Sequence, residues 1–485
     1  MNILFDSANV ADTLVYLAYE EESFPLRLGE AHKQSGSVTW LYARSEEESD
    51  VLAVGMGKRK DLTLEKIRRA GGSAARAMQK EGRHCASLTR IAPGSVIPKS
   101  DIEADLELQA WIEGWLLGLY RFQAHRGTTK IDISIDLLLK SIDWPELTKL
   151  ELEAVLDHGR LRAEGAILAR DLVNEIPGTL NPDRFAEWLA EHFNRDDASV
   201  KVHIYRGQEL VDLQMNGLLA VGAGSKHAPS LVEIRYERNP ALPMLALVGK
   251  GVTFDLGGMN VKTASDISDA RMDMGGAAAV IGAMEILVRK RANVNVTALI
   301  PVVDNVPDAE ATLPSSVIRY PNGLTVQVAN TDGEGRLILA DALIHAANIG
   351  ATKAIDIATL TGNVGAALGL GIAGIWGDED IIQSLVEIGE RNGERLWPMP
   401  LMDEYEADLR SNYADLRNVS TSPFAGAITA ALFIRRFVAE SMKWVHIDMA
   451  GTVQYKQDVG YSEAGATGYG ARLLADYVMK QQIHQ

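Results

Sequence analysis

The sequence predicts an α/β protein of two domains, a smaller one over residues 1–160 and a larger one over 161–485 with a central, mostly parallel sheet flanked by helices. Three observations lead there. The chain has 485 residues, and one hydrophobic core rarely grows past roughly 250–300. In the second part, strand candidates such as the wholly apolar Leu245–Val248 and the mostly apolar Ala354–Ala358 alternate with helical patterns. A strand that is apolar at every position is buried on both faces, as in parallel sheets covered by helices. Between the two parts, Leu150 to Asn174 reads as one long connecting helix, interrupted only by Gly159 and Gly165 and stopped near Pro177 and Gly178.

In the first part, Val51 to Gly55 reads as a strand, and Leu64 to Glu81 and Leu106 to Tyr120 as helices with core-facing spacing. In the second, Gly276 to Lys290 is an alanine-rich helix and Val294 to Ile300 a strand. Leu337 to Ile349 and Ala427 to Met442 read as helices, and Trp444 to Met449 as a strand. In such sheets, sites form in loops beyond the carboxyl ends of strands.

Composition narrows the partners. A formal charge of −17 repels nucleic acid and anionic membrane, so neither is expected as a partner. No apolar run reaches the roughly 18 residues of a membrane span. The first 22 residues lack a basic start and meet Asp6 and Asp12, unlike a signal peptide. A lone cysteine, Cys85, rules out a disulfide framework within the chain and fits a cytoplasmic setting.

Common catalytic signatures are missing: there is no His-Glu-x-x-His, no Gly-x-Ser-x-Gly and no Walker A loop. Gly369, Gly371 and Gly374 match Gly-x-Gly-x-x-Gly, but with no clear strand running into them they read as a loop.

Two segments concentrate acids, bases and glycines after predicted strands: Val248 to Lys262, running on to Arg271–Gly276, and Asn330 to Leu337. Taken singly, Asn330–Arg336 is a polar turn, Lys250 and Lys262 are surface lysines, and Asp255 and Asp273 are caps. Taken together, Asp255, Asp273, Asp332 and Glu334 are four carboxylates expected on strand-end loops of one sheet. Two divalent cations would balance them. Oxygen-rich sites suit magnesium, manganese or zinc, and a nitrogen ligand tilts the choice toward transition metals.

These segments resemble the signature regions of the leucyl (cytosol) aminopeptidase family, whose string Asn-Thr-Asp-Ala-Glu-Gly-Arg-Leu differs here only by Gly333 for alanine. Asp356–Gly362 and Asp448–Gly451 resemble two further family segments, and weaker similarity covers Ala169–Asn174 and the first domain. The resemblance implies a macro-like N-terminal domain, a catalytic C-terminal domain and a cytoplasmic homohexamer. The activity implied is removal of N-terminal residues, Leu and other mostly apolar ones, from peptides by two-metal hydrolysis with a metal-bridging water. Zinc or manganese are the expected ions, with cobalt or magnesium as alternatives.

By the same resemblance, Asp255 and Glu334 bridge the two metals, Lys250 and Asp273 complete the tighter site, and Asp332 the more exchangeable one. Lys262 polarises the scissile carbonyl, and Arg336 holds a bicarbonate ion as general base. Ala270, Thr359, Gly362 and Ala450 contact the substrate. Leu256, Asn260 and Thr263 depart from the family pattern, and Ala270 stands where members often have a methionine lining the first-residue pocket. These departures leave the ligand and catalytic positions filled and bear on side-chain preference.

Elementary chemistry supports the roles. A pair of metals lowers the pKa of a bridging water and clamps a carbonyl oxygen, and Lys262 adds positive charge where an oxyanion develops. Lys250 must be neutral to ligate, which costs roughly 4–5 kcal/mol at pH 7. No histidine lies in either segment, and His345 falls more than two helical turns beyond Arg336. Arg336 cannot be a base itself, but its planar fork suits a carboxylate-shaped anion such as bicarbonate. It could equally neutralise the acidic loop. The other readings weighed are a Cys-Gly-type dipeptidase of the same family, a DNA-binding regulatory protein on the same fold, which the acidic charge disfavours, and an inert hexameric scaffold, disfavoured because the functional positions are filled.

Overall fold

Strand Leu245–Gly249 shows how the larger unit is built. Leu245 and Leu247 point into one hydrophobic core, and Ala246 and Val248 into another on the opposite face. Successive side chains of a strand face opposite ways, so an unbroken apolar run is what a sheet covered on both sides requires. Strand Lys353–Ala358 behaves alike, with Ile355 and Ile357 on one side and Ala354 and Ala358 on the other.

In the computed structural model, the described residues are 2–22, 27–43, 45, 48–90, 102–131, 134–194, 197–263 and 266–483. They divide into two units. One comprises residues 1–167, 391–393 and 455–465, the other 168–390, 394–454 and 466–485. Among the described residues, no helix is long and apolar enough to cross a membrane.

The first unit carries a six-stranded sheet in the order Ile3–Phe5, Asp136–Leu139, Cys85–Thr89, Thr13–Tyr19, Asp50–Gly57, Val38–Leu41. All neighbours are parallel except the last pair. Helices Leu64–Lys80 and Ala104–Leu119 pack so closely that a Cβ on Gly114 would lie 1.9 Å from the Arg68 carbonyl. Inside this unit, Glu113 is gripped by Arg68 at 2.9 Å and Arg162 at 2.5 Å, which keeps its buried carboxylate paired.

The second unit holds a nine-stranded sheet. Its path runs Arg395–Pro398, Ile372–Gly377, Lys443–Asp448, Lys353–Ala358, Leu245–Gly249, Asn295–Asn305, Ser230–Glu237, Val200–Arg206, and Gly251–Asp255 also pairs with Asn295–Asn305. The centre is parallel. Antiparallel pairs occur at Ile372–Gly377 with Lys443–Asp448 and among the strands at the Val200–Arg206 end. Helices Gly275–Arg289 and Ala471–Ile483 cover one face; Gly335–Asn348 and Gly426–Arg435 cover the other. The chain is thus a two-domain α/β protein with a mixed, mostly parallel sheet flanked by helices, as the sequence predicts.

Four details differ from expectation. Of the glycines read as a loop, Gly369 and Gly371 lead into a real strand, Ile372–Gly377, and Gly374 lies within it. The strand expected to end at Ile300 continues to Asn305. The helix expected to reach Met442 ends at Arg435, where hydrogen bonds from Arg436, Phe437 and Val438 to the third residue back tighten the turn. That turn packs Phe437 against Tyr320 and Phe433 with tilted rings, centroids 4.7 and 5.0 Å away. Finally, Asp332 and Glu334 do not follow a strand of the main sheet: Thr325–Gln327 belongs to a separate three-stranded sheet with Val317–Arg319 and Leu416–Arg417.

Candidate metal centre and substrate cavity

Two strands in immediate succession deliver the first half of the site. Leu245–Gly249 ends at Lys250, and Gly251–Asp255 begins directly after it. Both run parallel to Asn295–Asn305, so Lys250 and Asp255 emerge at the same end of the sheet. The Lys250 amine reaches Asp273 Oδ2 at 2.7 Å, Glu334 Oε1 at 2.8 Å and the Thr359 carbonyl at 2.9 Å. Glycine at 335 makes this possible, because a Cβ there would sit 2.7 Å from Lys250 Nζ.

After Asp255 the chain turns sharply. Gly257 and Gly258 have φ of +90° and +59°, which side-chain-bearing residues rarely adopt. The turn sends Lys262 back over the site, where its amine meets Asp255 Oδ2 at 2.8 Å and pairs with Asp332. Asn260, one of the departures from the family pattern, secures the same turn: its Oδ1 accepts from Thr331 N and its N–H donates to Thr331 Oγ1, both at 2.8 Å.

The second half comes from Asn330–Arg336, which leads into helix Gly335–Asn348. Asn418, fully buried, clamps this loop. Its Oδ1 accepts from Ala329 N at 2.8 Å, and its Nδ2 donates to the Asn330 carbonyl at 2.6 Å. A methyl at Gly333 would meet Val419 at 2.7 Å, so the space an alanine would fill is taken by Val419.

Asp255, Asp273 and Glu334 each offer a carboxylate oxygen, and these oxygens all lie within 4.8 Å of one another. Burial drives the Asp273 carboxyl well above the usual carboxylate range; Lys250 pulls it down, while Asp255 and Glu334 push it further up. Burial likewise raises Glu334 and Asp332. For the lysines, burial favours the neutral amine, but the carboxylates outweigh it. Asp273 and Glu334 hold Lys250 above its usual value, and Asp255 and Asp332 do the same for Lys262. The acids stay raised with two ammonium groups among them, so the cluster favours added positive charge. Glu334 Oε2 is buried with no hydrogen-bond partner among the described residues. A divalent cation supplies both what the charge and what this oxygen lack, so the residues fit such an ion. Lys250 could join as a ligand only by giving up a proton that its neighbours hold tightly.

A cavity of about 430 Å³ opens beside the cluster. It brings together Lys250, Asp255, Lys262, Asp273, Asp332 and Glu334 with Ala270, Thr359, Gly362 and Ala450. Arg336 is not among its lining residues. It is buried, donates through Nη1 to the Asn418 carbonyl at 2.9 Å, and its Nε has no hydrogen-bond partner among the described residues. Burial lowers its pKa to about 10, against the pull of Glu334, Asp448 and Asp332.

Met272, Val453 and Gln454 also line the cavity and were not singled out from the sequence. Nor were the residues that hold its walls. Asp448 Oδ1 accepts from Leu360 N and Ala450 N, both at 3.2 Å, and its Oδ2 accepts from Thr361 Oγ1 at 2.6 Å. Thr359 Oγ1 donates to Asp273 Oδ1 at 2.8 Å. Asp448 opens the Asp448–Gly451 segment, but nothing in its spacing distinguishes an anchor from a contact.

Residues 167–475 match the catalytic domain of the cytosol aminopeptidase family, and residues 26–129 match that family's N-terminal domain. A protein of Mycobacterium tuberculosis named "Probable cytosol aminopeptidase" is 38% identical over 462 residues, covering 93% of this chain and 86% of its own length. One of the same name from Persephonella marina is 35% identical over 433 residues, covering 89% and 85%. Among solved structures, the bottromycin maturation enzyme BotP in complex with Mn superposes with a TM-score of 0.85 at 30% identity, over 97% of this chain and all of that one. A tomato leucine aminopeptidase mutant gives 0.86 at 29% identity, over 99% and 96%. With both domains matched in order, and relatives this similar along nearly their whole length, the chain belongs to the cytosol aminopeptidase family.

Proposed function

We propose that the protein is an aminopeptidase that removes N-terminal residues, Leu and other mostly apolar ones, from peptides by two-metal hydrolysis. The observation that carries this reading is the set of carboxylate oxygens of Asp255, Asp273 and Glu334, within 4.8 Å of one another, on the wall of a cavity large enough for an amino-acid side chain. Asp255 and Glu334 would be shared between the ions, with Lys250 and Asp273 on one and Asp332 on the other. The ions would supply a water of lowered pKa and a Lewis acid for the scissile carbonyl. Zinc or manganese fit the mixed oxygen and nitrogen set, with cobalt or magnesium as alternatives; the BotP neighbour is described as a Mn complex.

The chain's own residues do the rest. Lys262, on the cavity wall, donates toward the oxygen that becomes negative in the tetrahedral intermediate. Ala270 would line the pocket for the first side chain, and Thr359, Gly362 and Ala450, on the same cavity, would contact the substrate. Arg336 would hold a bicarbonate ion, which would supply the general base; its Nε, without a hydrogen-bond partner among the described residues, leaves a donor for such an anion. Peptides are the proposed substrates, the cytoplasm the proposed location and a homohexamer the proposed assembly. Light scattering that shows a stable monomer at micromolar concentration would refute the last.

The test is direct. Asp255→Asn and Glu334→Gln should each abolish turnover and lower bound metal. Near-parent turnover with two bound ions in either variant would sink the assignment.

A further inference from the structure

Asn305 ends the Asn295–Asn305 strand, and its register partner in the parallel Gly251–Asp255 strand is Asp255. It is buried, with 3% of its surface exposed. Its Nδ2 donates to Asp255 Oδ1 at 2.8 Å and to the Thr331 carbonyl at 3.0 Å. Both partners are acceptors, so the amide orientation follows from the network. Its backbone carbonyl accepts from Leu256 N at 2.9 Å and Gly258 N at 3.3 Å. One residue thereby touches Asp255, the turn that leads to Lys262, and the residue that precedes Asp332.

The consequence for Asp255 is specific. Its Oδ1 accepts from Gly257 N at 2.9 Å as well as from Asn305. Two donors occupy that oxygen. Oδ2, 2.8 Å from the Lys262 amine, is the one left to meet a cation. The Gly257 bond alone would still allow the carboxylate to swing about its Cβ–Cγ bond; the second donor, from a strand in fixed register, removes that freedom.

We infer that Asn305 is a positioning residue for cation binding. It fixes the rotation of the Asp255 carboxylate so that Oδ2 faces the cluster, and it holds the Thr331–Asp332 backbone at a set distance from it. The inference rests on the proposed role of Asp255 and Asp332 as ligands. Partners that orient a ligating group are worth about 10–100-fold in metal affinity.

The test is titration of the full-length, metal-free chain with Mn²⁺, with bound and free ion distinguished by electron paramagnetic resonance. The parent is compared with Asn305→Ala, which removes both bonds, and Asn305→Asp, which keeps the shape but sets an acceptor against Oδ1. Both variants should bind Mn²⁺ about 10–100-fold more weakly, while the melting temperature of the metal-free chain falls by no more than a few degrees. A purely structural asparagine predicts the reverse pattern, with melting temperature lost and affinity kept, and that result would overturn the inference. Should Asn305→Ala fail to fold, Asn305→Asp decides. A parent that binds Mn²⁺ with variants that bind it equally well overturns the inference alone. A parent that binds none overturns the metal reading and this inference with it.

Discussion

Replacing Asp448 by alanine removes the acceptor that joins two walls of the cavity. Asp448 is fully buried and accepts from Thr361 Oγ1 at 2.6 Å, from Leu360 N and Ala450 N at 3.2 Å, and from Thr361 N at 3.4 Å. A buried donor left without its partner costs about 1–3 kcal/mol. Four such donors set an upper limit, from which the cost of burying the carboxylate itself must be subtracted. Burial does raise the Asp448 carboxyl, against His446 and the hydrogen bonds, so that cost is real. We expect a net loss of about 3–5 kcal/mol for Asp448→Ala, or roughly 5–8 °C in melting temperature for a unit of this size. Asp448→Asn keeps the oxygen that takes the backbone donors, and the Thr361 hydroxyl can turn to accept from the new amide. It should lose only about 1–2 kcal/mol. Leu360, Thr361 and Ala450 line the cavity, so Asp448→Ala should also raise KM for aminoacyl amides more than it lowers kcat. Thermal denaturation and steady-state kinetics on the three proteins read both effects. An alanine variant within 1–2 °C of the parent, or an asparagine variant as damaged as the alanine one, would refute the reasoning.

Ala270→Met should narrow the first-residue pocket and lower kcat/KM for Phe relative to Leu substrates, by a graded amount because a methylene there is worth about 1–3 kcal/mol; a profile confined to Ala and Gly in the parent would contradict an open pocket. Activity in carbonate-depleted buffer should fall and recover with added bicarbonate, and Arg336→Ala should lose turnover and most of that response while keeping its metals; metal loss with no bicarbonate response would instead assign Arg336 a structural role. Asp341 is buried, and burial holds its carboxyl well above the usual range although Leu218 N and Gly217 N donate to it. A raised acid stabilises the fold most when protonated, so its contribution is full below about pH 4 and is lost as pH rises toward the elevated folded value. Asp341→Asn should therefore raise the melting temperature at pH 8 and progressively less as pH falls; an equal effect at every pH would contradict the assignment.

The parts of the fold that could be read from sequence share one property: their environment acts on every residue. Leu245–Gly249 is apolar throughout because both faces are covered, Lys353–Ala358 is apolar except for Lys353 and Asp356, the latter paired in the core with Trp444 and His446, and Gly275–Arg289 is mostly small and apolar because nearly all of it is buried. Gly251–Asp255 escaped notice because a five-residue strand holding a glycine, a threonine and an aspartate shows no such uniformity. The end of Asn295–Asn305 turns polar where it enters the site, so the pattern that marked the strand stopped short of the residue that orients Asp255. Ligand candidates stood out because acids and lysines crowd between glycines in two short segments. Asn305, Asn418 and Asp448 are single polar residues in separate stretches of chain, and their importance appears only when the fold brings those stretches together. Arg336 was readable as a charged group in the motif, but its burial, apart from the residues that line the cavity, was not.

The central claim, two-metal hydrolysis at this cluster, is tested most directly by stripping the chain of metal and refilling it. Turnover of an aminoacyl-amide panel is measured as zinc, manganese, cobalt or magnesium is added in known equivalents. Two-metal hydrolysis predicts no turnover without metal and full recovery near two ions per chain, with zinc or manganese most effective. Turnover that survives complete metal removal, or that saturates at a single ion, would contradict it.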